Sequence, residues 1–299
     1  MKLKSCIKSM RPRTLPLSLA GVCLGVFLAA ASHPVQAGTV VFLLLTTVCL
    51  QTLSNLSNEL GDHLRGTDTA DRQGPAYGIA SGELTADDLK KLIRLFVLLC
   101  LVFGAVMIRF SVGTLVSWIS AGLMLLGAAA IRAAMRYTLG KNPYGYRGLG
   151  DLFVFLFFGL VSVLGACFVM TLTLDSWALL LPASSIGFFS VGVLNVNNIR
   201  DMKTDGRNRV TVALKLGERN ARIYQTALVA AGWVCMAAYS CIPPFSLRHF
   251  LYVPTLPLYV RHLQLVRTRH DRALDPALPL LSLSTLLFAL LAGAGFLPG

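Results

Sequence analysis

Long apolar runs, separated by short polar and charged stretches, dominate the pattern along this chain. Nine of them are candidate membrane-spanning helices, at about residues 15–32, 37–57, 92–110, 113–131, 151–173, 177–198, 222–242, 249–260 and 276–297. A bilayer core about 30 Å thick needs roughly 20 apolar residues per helix. The pattern therefore predicts an all-α, polytopic membrane protein, with nine transmembrane helices in a single domain over residues 1–299.

The eighth run, "FLYVPTLPLYV", differs from the others. It is short and contains Pro254 and Pro257. Proline in a helix interior removes a hydrogen bond and bends the helix. This run is therefore predicted to be kinked or partly re-entrant.

The composition excludes an ordinary soluble protein. Of the 299 residues, 55% are hydrophobic and only 14% are charged, and the mean hydropathy is +0.66. A soluble chain of this length would need more charge on its surface. The seven cysteines are scattered and form no CxxC pair, which argues against a disulfide framework or a zinc site.

The net charge of +13 is distributed very unevenly across the predicted topology. With nine spans, one side of the membrane receives 25 of the 27 basic residues, and the other receives only Arg109 and Arg248. Because cytoplasmic segments are enriched in Lys and Arg, the N-terminus is predicted to be cytoplasmic and the C-terminus outside, in a cytoplasmic (inner) membrane. Basic loops at a membrane account for the charge, so no nucleic-acid partner is expected.

A polar stripe ends the second apolar run. Gln51, Asn55, Asn58 and Asp62 are spaced by 4, 3 and 4 residues, which places them on one face of a helix. Asp68 follows on the loop after Gly66. These groups are predicted to face partners or water, since exposing them to lipid would cost several kcal/mol each.

A second polar stripe ends the sixth apolar run. Asn198, Asp201 and Asp205 are spaced by 3 and 4 residues, and Asn197 precedes Asp201 by four residues, as Asn58 precedes Asp62. Carboxylate and amide oxygens are hard ligands, and Mg²⁺ combines a few of them with water and substrate phosphate oxygens. The two stripes could hold Mg²⁺ and a diphosphate between them. Nearby cations could neutralise the remaining phosphate charge: Arg65, Arg72, Lys141, Arg147, Lys203 and Arg209.

Three other interpretations of the acidic clusters are weaker. Solvated helix caps would explain a single aspartate, but they leave the paired Asn-x-x-x-Asp spacing unexplained. An ion pathway through a transporter would need acids at mid-membrane, and every predicted cluster lies near one face. A purely structural membrane protein would also leave both clusters without a role.

Three stretches of the sequence resemble the UbiA superfamily of intramembrane aromatic prenyltransferases. The closer similarity is to the 1,4-dihydroxy-2-naphthoate polyprenyltransferases of menaquinone synthesis. It is carried by "NLSNELGDHLRGTDTADRQGP", "YTLGKNPYGYRGLGDLFVFLFFG" and "VLNVNNIRDMKTD", with "RPRTLP" as a weaker match. One departure follows the second motif, where "GRNRVTVALKLG" is about one residue shorter than a Gly-Lys-x-Thr-Leu stretch and places Arg209 in the position of its Lys.

The resemblance implies a nine-helix bundle around a central cavity and a Mg²⁺-dependent transfer of a polyprenyl group from polyprenyl diphosphate to 1,4-dihydroxy-2-naphthoate. No obligate protein partner is evident. The implied metal ligands are Asn58, Asp62, Asp68, Asp201 and Asp205, and the four aspartates among them are the implied catalytic residues. The implied diphosphate-binding residues are Arg72, Lys141 and Arg209, and the implied contacts to the aromatic substrate are Asn198, Tyr144 and Tyr146.

Other acceptors within the superfamily stay open as alternatives. They are 4-hydroxybenzoate, a chlorin or a heme. Gly66, which stands where hydroxybenzoate enzymes usually have another Asp, argues against them, as does the 137–150 loop.

Overall fold

The computed structural model of the chain describes residues 3–66, 77–205 and 209–298, with the side chains of residues 204 and 205 left aside. Nine long helices follow one another through these residues. They are α1 (Leu15–Ala30), α2 (Ala37–Leu64), α3 (Ala86–Val112), α4 (Trp118–Arg136), α5 (Gly150–Thr171), α6 (Leu180–Arg200), α7 (Val212–Ser240), α8 (Leu256–Thr268) and α9 (Ala277–Phe296). Two short helices, Leu3–Met10 and Met202–Asp205, precede α1 and follow α6. The prediction of an all-α fold is confirmed, and the described part of the chain contains no β-strand.

Seven of the helices are long and apolar enough to cross a bilayer, namely α1 to α6 and α9. Helix α7 is kinked at Gly217, whose φ of 74° and ψ of 162° are not helical, and Lys215, Glu218, Arg219 and Arg222 lie close to this kink. Helix α8 has only 13 residues, which is about 20 Å at 1.5 Å per residue. These seven helices by themselves are enough for a multi-pass membrane protein, and α7 and α8 complete the bundle.

The predicted position of the eighth span is wrong. Instead of a helix over residues 249–260, two 3₁₀ turns at Leu247–Phe250 and Val253–Thr255 lead into α8 at Leu256. The cause is the placement of Pro257 in the first turn of α8, where a missing N–H costs nothing. Proline thus starts this helix, and Arg261 lies on α8 and not in a loop.

Close contacts and aromatic packing hold the bundle together. Gly25 of α1 lies so near α5 that a Cβ there would come within 2.4 Å of the Val163 carbonyl oxygen. In the same core, Phe189 and Trp233 each pack against Phe288, with ring centroids 5.1 and 5.2 Å apart. These rings join α6, α7 and α9 in one apolar core.

A buried polar chain joins α6, α7 and α8. Asn195 donates to the Gln225 side-chain oxygen (2.9 Å), and Gln225 contacts His262 Nε2 (3.0 Å). His262 Nδ1 lies 3.0 Å from the Ala277 carbonyl oxygen at the start of α9. Since a carbonyl can only accept, Nδ1 carries the proton and Nε2 accepts from the Gln225 amide. This arrangement gives partners to the amide N–H groups of Asn195 and Gln225 and to the ring of His262, which are buried and would otherwise destabilise the helix contacts.

Helix α4 is the least embedded of the nine. Ser120 is its one buried residue, and Trp118 and Leu125 are 94% and 73% exposed. A Cβ added at Gly122 or Gly127 would meet nothing within 4 Å. This helix therefore forms a thin wall of the bundle with a large surface available to lipid.

The orientation in the membrane is testable with two thiols. Cys241, between α7 and α8, is the exposed cysteine among the seven, and the nine-span topology predicted from the sequence places it outside. Glu83 is exposed in the connection between α2 and α3, on the predicted cytoplasmic side. We expect an impermeant maleimide to label native Cys241 from outside in intact cells, and to label Glu83→Cys, in a Cys241→Ser background, only in inverted vesicles. Labelling of both thiols from the same side would contradict the orientation.

Candidate active site

One cavity of about 440 Å³ lies among α1 to α6 and α9. Most of its wall is apolar and includes Met107, Leu123, Phe153, Phe157 and Phe158. Its polar lining comes mainly from the segment before α1, the second half of α2, the chain from Tyr137 to Tyr144, and the chain around the end of α6, with Tyr77 in addition. The charged lining residues are Arg11, Arg13, Asp62, Arg200 and Arg209. The size of the cavity, and its apolar wall with a few polar groups, are typical of a small-molecule site.

The first predicted stripe lies on α2 and reaches the cavity. Gln51, Asn55, Asn58 and Asp62 all line it, so the helical periodicity predicted their common direction correctly. Helix α2 extends seven residues past the predicted limit of 57, to Leu64, because the stripe itself is helical. Asp62 is only 4% exposed.

The 137–150 loop packs directly against this end of α2. A Cβ at Gly61 would lie 2.6 Å from the Thr138 side chain, so only glycine permits the approach. Thr138 Oγ1 donates to the Ser57 carbonyl oxygen (2.9 Å) and lies 3.2 Å from Asn58 Oδ1. The loop thereby fixes the amide of Asn58 beside the cavity.

Tyr146 of the same loop connects the two motifs. Its hydroxyl donates to Asp62 Oδ1 at 2.7 Å, and its carbonyl oxygen accepts from the Val210 N–H at 3.1 Å. The guanidinium carbons of Arg65 and Arg209 each lie 5.1 Å from the centre of its ring. One loop residue therefore joins Asp62, at the end of α2, to the segment that follows α6.

Tyr144 lies deeper in the loop and lines the cavity. Its ring stacks on Phe153 at 3.9 Å, and its hydroxyl donates to the Ala133 carbonyl oxygen at 2.8 Å. Burial raises the pKa of Tyr144 above its ordinary value, and burial also raises the pKa of Tyr137. Both phenols therefore stay protonated at neutral pH, and the Tyr144 hydroxyl acts as a hydrogen-bond donor.

The second motif is organised by Arg200, which sequence reasoning missed as a site residue. Its Nε and Nη2 donate to both carboxylate oxygens of Asp201, at 2.8 and 2.6 Å. Nη1 donates to Asp275 Oδ1 (2.6 Å), and Nη2 also donates to Asn197 Oδ1 (2.8 Å). Arg200 is 2% exposed and Asp201 is 3% exposed. The one signal in the sequence was an arginine at the end of an apolar run directly before a motif aspartate.

The remaining predicted residues lie in different surroundings. Asn198 is buried, but it lines a small closed pocket with Asp151, while its neighbour Asn197 lines the main cavity. Lys141 is exposed and is not among the cavity-lining residues. Asp68 and Arg72 lie outside the described residues, as does the side chain of Asp205. The roles predicted for these residues stay predictions.

A family model described as the UbiA prenyltransferase family matches residues 18–286. The chain belongs to this family.

Curated relatives of this UbiA chain are similar over almost its whole length. It is 36% identical to a 1,4-dihydroxy-2-naphthoate octaprenyltransferase of Escherichia coli, covering 90% of this chain and 87% of that protein. It is 37% identical to a protein of the same description from Haemophilus influenzae, covering 100% and 97%.

Solved structures share the fold. A UbiA homolog from Aeropyrum pernix in its apo form superposes with a TM-score of 0.68 at 15% identity, covering 99% of this chain and 98% of that one. A UbiA homolog from Archaeoglobus fulgidus bound to GPP and Mg²⁺ superposes with a TM-score of 0.68 at 14% identity, covering 98% and 99%. The UbiA fold of this chain is thus supported by structure as well as by sequence.

The described site of this UbiA protein contains no cage of three or more His, Cys, Asp or Glu side chains. It offers hard oxygen atoms from Asn58 and Asp62 at the cavity, while Asp201, whose two carboxylate oxygens accept from Arg200, lies behind the lining residues Asn197 and Arg200. Mg²⁺ prefers such ligands in small number and takes its remaining ligands from water and phosphate. The donor set therefore fits Mg²⁺ that is shared with a diphosphate.

Proposed function

We propose that this protein transfers a polyprenyl group from polyprenyl diphosphate to 1,4-dihydroxy-2-naphthoate, with loss of CO₂ and diphosphate, to give demethylmenaquinol in menaquinone synthesis. The observation that carries the proposal is the near full-length similarity, at 36–37% identity, to proteins described as catalysing this transfer. The cavity supports it, because an apolar wall suits a prenyl chain and a charged end suits a diphosphate and a carboxylate.

The charged groups of the cavity have separate tasks in the proposed reaction. Asn58, Asp62 and Asp201, together with Asp68 and Asp205, would hold Mg²⁺, which supplies neutralisation of the diphosphate charge when bound. Arg209 lines the cavity beside Tyr146 and adds positive charge for the leaving group, as do Arg72 and Lys141 in the proposal. Fixed charges of this kind stabilise the negative charge that develops as the allylic carbon–oxygen bond breaks.

The apolar wall protects the reactive carbon. Phe153, Phe157 and Phe158 line the cavity from α5, and an allylic cation formed beside them would be kept away from water. The electron-rich naphthalene ring then attacks this carbon. In the proposal, Tyr144, which stacks on Phe153, packs against the acceptor ring, and Asn198 and Tyr146 contribute to its orientation.

The fate of the acceptor carboxyl group tests the proposed function. Attack by the ring carbon that bears the carboxylate gives an intermediate that regains aromaticity by expelling CO₂. Acceptor labelled at the carboxyl carbon should therefore release one labelled CO₂ for each prenylated product, and only when Mg²⁺ is present. The purified protein would be assayed with polyprenyl diphosphates of several chain lengths, and 4-hydroxybenzoate would serve as the alternative acceptor.

Two results would contradict the proposal. Label retained in a prenylated product would mean attack at a carbon that bears hydrogen, as expected of a hydroxybenzoate-type enzyme. Prenylation of 4-hydroxybenzoate in preference to dihydroxynaphthoate would assign the chain to another branch of the family.

A further inference from the structure

A long stretch of the chain around α8 carries positive charge and no acid. Between Glu218 and Asp271 there are six arginines and neither an aspartate nor a glutamate. One of the six, Arg222, has a structural task, because it donates to the carbonyl oxygens of Val266 and Arg269 at the end of α8. Such bonds satisfy the last carbonyl groups of a helix. The arginines on α8 itself are therefore not needed as its cap.

The outward face of α8 changes from apolar to cationic along the helix. Three residues face the bundle and are buried: Tyr259, His262 and Val266. Away from them, Leu256 and Val260 are 44% and 46% exposed, and Arg261 and Arg267 are exposed as well. At 3.6 residues per turn these four side chains lie within one half of the helix circumference. One strip of surface therefore joins apolar side chains to two guanidinium groups.

Arg261 lies at a depth where a charge without a partner is unfavourable. It precedes Thr268, the last residue of α8, by seven residues, which is about 10 Å along the axis. Exposing a charge to the hydrocarbon core is costly, and an arginine close to the membrane surface extends its guanidinium toward the headgroups. Lipid phosphates lie at that level, so the position of Arg261 favours an anionic partner there.

The acids nearest in sequence to this end of α8 are already engaged by other cations. The pairs are Glu218 with Arg222, Asp271 with Lys203, and Asp275 with Arg200, at 2.6, 2.7 and 2.6 Å. Within the described ranges of the chain, Arg261 and Arg267 therefore form no ion pair with an acid. Their charge is left for a partner outside the protein.

Two further arginines lie close to the end of α8. Glu218 Oε1 lies 2.8 Å from His270 Nδ1, and this contact brings the first part of α7 to the chain that follows α8. Arg219 and Arg269 are the sequence neighbours of this pair, and both are exposed. Four exposed guanidinium groups therefore collect at one end of the α7–α8 pair. We call them the basic surface: Arg219, Arg261, Arg267 and Arg269.

We propose that the basic surface binds an anionic phospholipid, with the lipid phosphate among the arginines and an acyl chain along Leu256 and Val260. Guanidinium forks match phosphate oxygens, and basic clusters on the cytoplasmic side of membrane helices recognise anionic headgroups. The topology predicted from the sequence puts this end of α8 on that side. The lipid is not a substrate, and its binding does not depend on the proposed prenyl transfer.

Lipid binding to the purified protein tests the inference without any prenyl transfer. In native mass spectrometry, wild type should bind phosphatidylglycerol more tightly than phosphatidylcholine. The double variant Arg261→Gln/Arg267→Gln should lose about 25-fold in affinity for phosphatidylglycerol, about fivefold for each arginine, and bind phosphatidylcholine as wild type does. In phosphatidylcholine nanodiscs, added phosphatidylglycerol should raise the Tm of wild type and not that of the variant. Melting in phosphatidylcholine alone shows that the variant is folded.

Lys91→Gln/Arg94→Gln is the matched control, since it removes two exposed charges from the first turns of α3, on the same predicted side of the membrane. This control should bind phosphatidylglycerol as wild type does. Equal losses in the control and in the α8 variant would mean that only net charge matters. Equal binding of both lipids by wild type would mean that the headgroup is not recognised, and equal stabilisation by inorganic phosphate would mean that no lipid is needed. Each of these three results overturns the inference.

Discussion

Asp62→Asn is expected to lower turnover about 100- to 1000-fold while leaving the protein folded. The substitution keeps the size of the side chain, and the amide oxygen can still accept from Tyr146, which lies 2.7 Å from the carboxylate. It removes the negative charge that is proposed to hold Mg²⁺ against the diphosphate. Losses of this size are typical when one fixed group that stabilises developing charge is removed. The measurement is kcat at saturating Mg²⁺ and both substrates, with a melting curve for each protein.

Asp175→Asn is the matched control for charge. Asp175 belongs to the connection between α5 and α6 at the opposite end of the bundle, where its side chain is 56% exposed and lies 3.6 Å from His33 Nδ1. Turnover of this variant should equal that of the wild type. A folded Asp62→Asn protein with near-normal kcat would remove Asp62 from the proposed metal site.

Arg200→Leu is expected to destabilise the protein by about 3–5 kcal/mol, the usual consequence of leaving a buried charge without its partner. Asp201 would lose the two hydrogen bonds that Arg200 donates to its carboxylate, and Asp275 and Asn197 would each lose one. Turnover should fall as well, because Asp201 would no longer be held in place. Thermal or denaturant unfolding in detergent or nanodiscs, followed by the loss of tertiary fluorescence, measures the first effect.

Lys203→Leu provides the comparison three residues further along the chain. Lys203 Nζ lies 2.7 Å from Asp271 Oδ2, but its side chain is 72% exposed, and exposed ion pairs contribute only about 0–1 kcal/mol. Its stability should therefore stay close to that of the wild type. If Arg200→Leu were no less stable than Lys203→Leu, the buried arginine would not be the organiser of the second motif.

The sequence predicted the direction of the first stripe because helical periodicity is a local property. Gln51 to Asp62 spans three turns of one helix, and a spacing of 4, 3 and 4 leaves little freedom in where these side chains point. The same argument is weaker at the end of a helix. Asn197 and Asn198 are adjacent, about 100° apart around the axis at 3.6 residues per turn, and the cavity receives Asn197 and not Asn198.

Contacts between distant segments could not be predicted in this way. Arg200 pairs with Asp275, 75 residues away, and nothing in the local pattern around either residue indicates the other. The left-handed backbone of Arg11 depends on hydrogen bonds from Asn55 to the turn around it, across more than 40 residues. The start of α8 was misplaced because prolines can end a helix or begin one, and the surrounding bundle decides which.

The weak embedding of α4 connects the enzyme to the physical state of its membrane. Its inner face meets the cavity through Gly127, Ala130 and Ala133, while Leu125 on its outer face is 73% exposed. Small side chains on a helix with one buried residue leave few protein contacts to oppose an inward or outward displacement. We therefore expect the lateral pressure and thickness of the surrounding lipid to change the width of the pocket, so that acyl-chain composition affects how much room a prenyl tail finds.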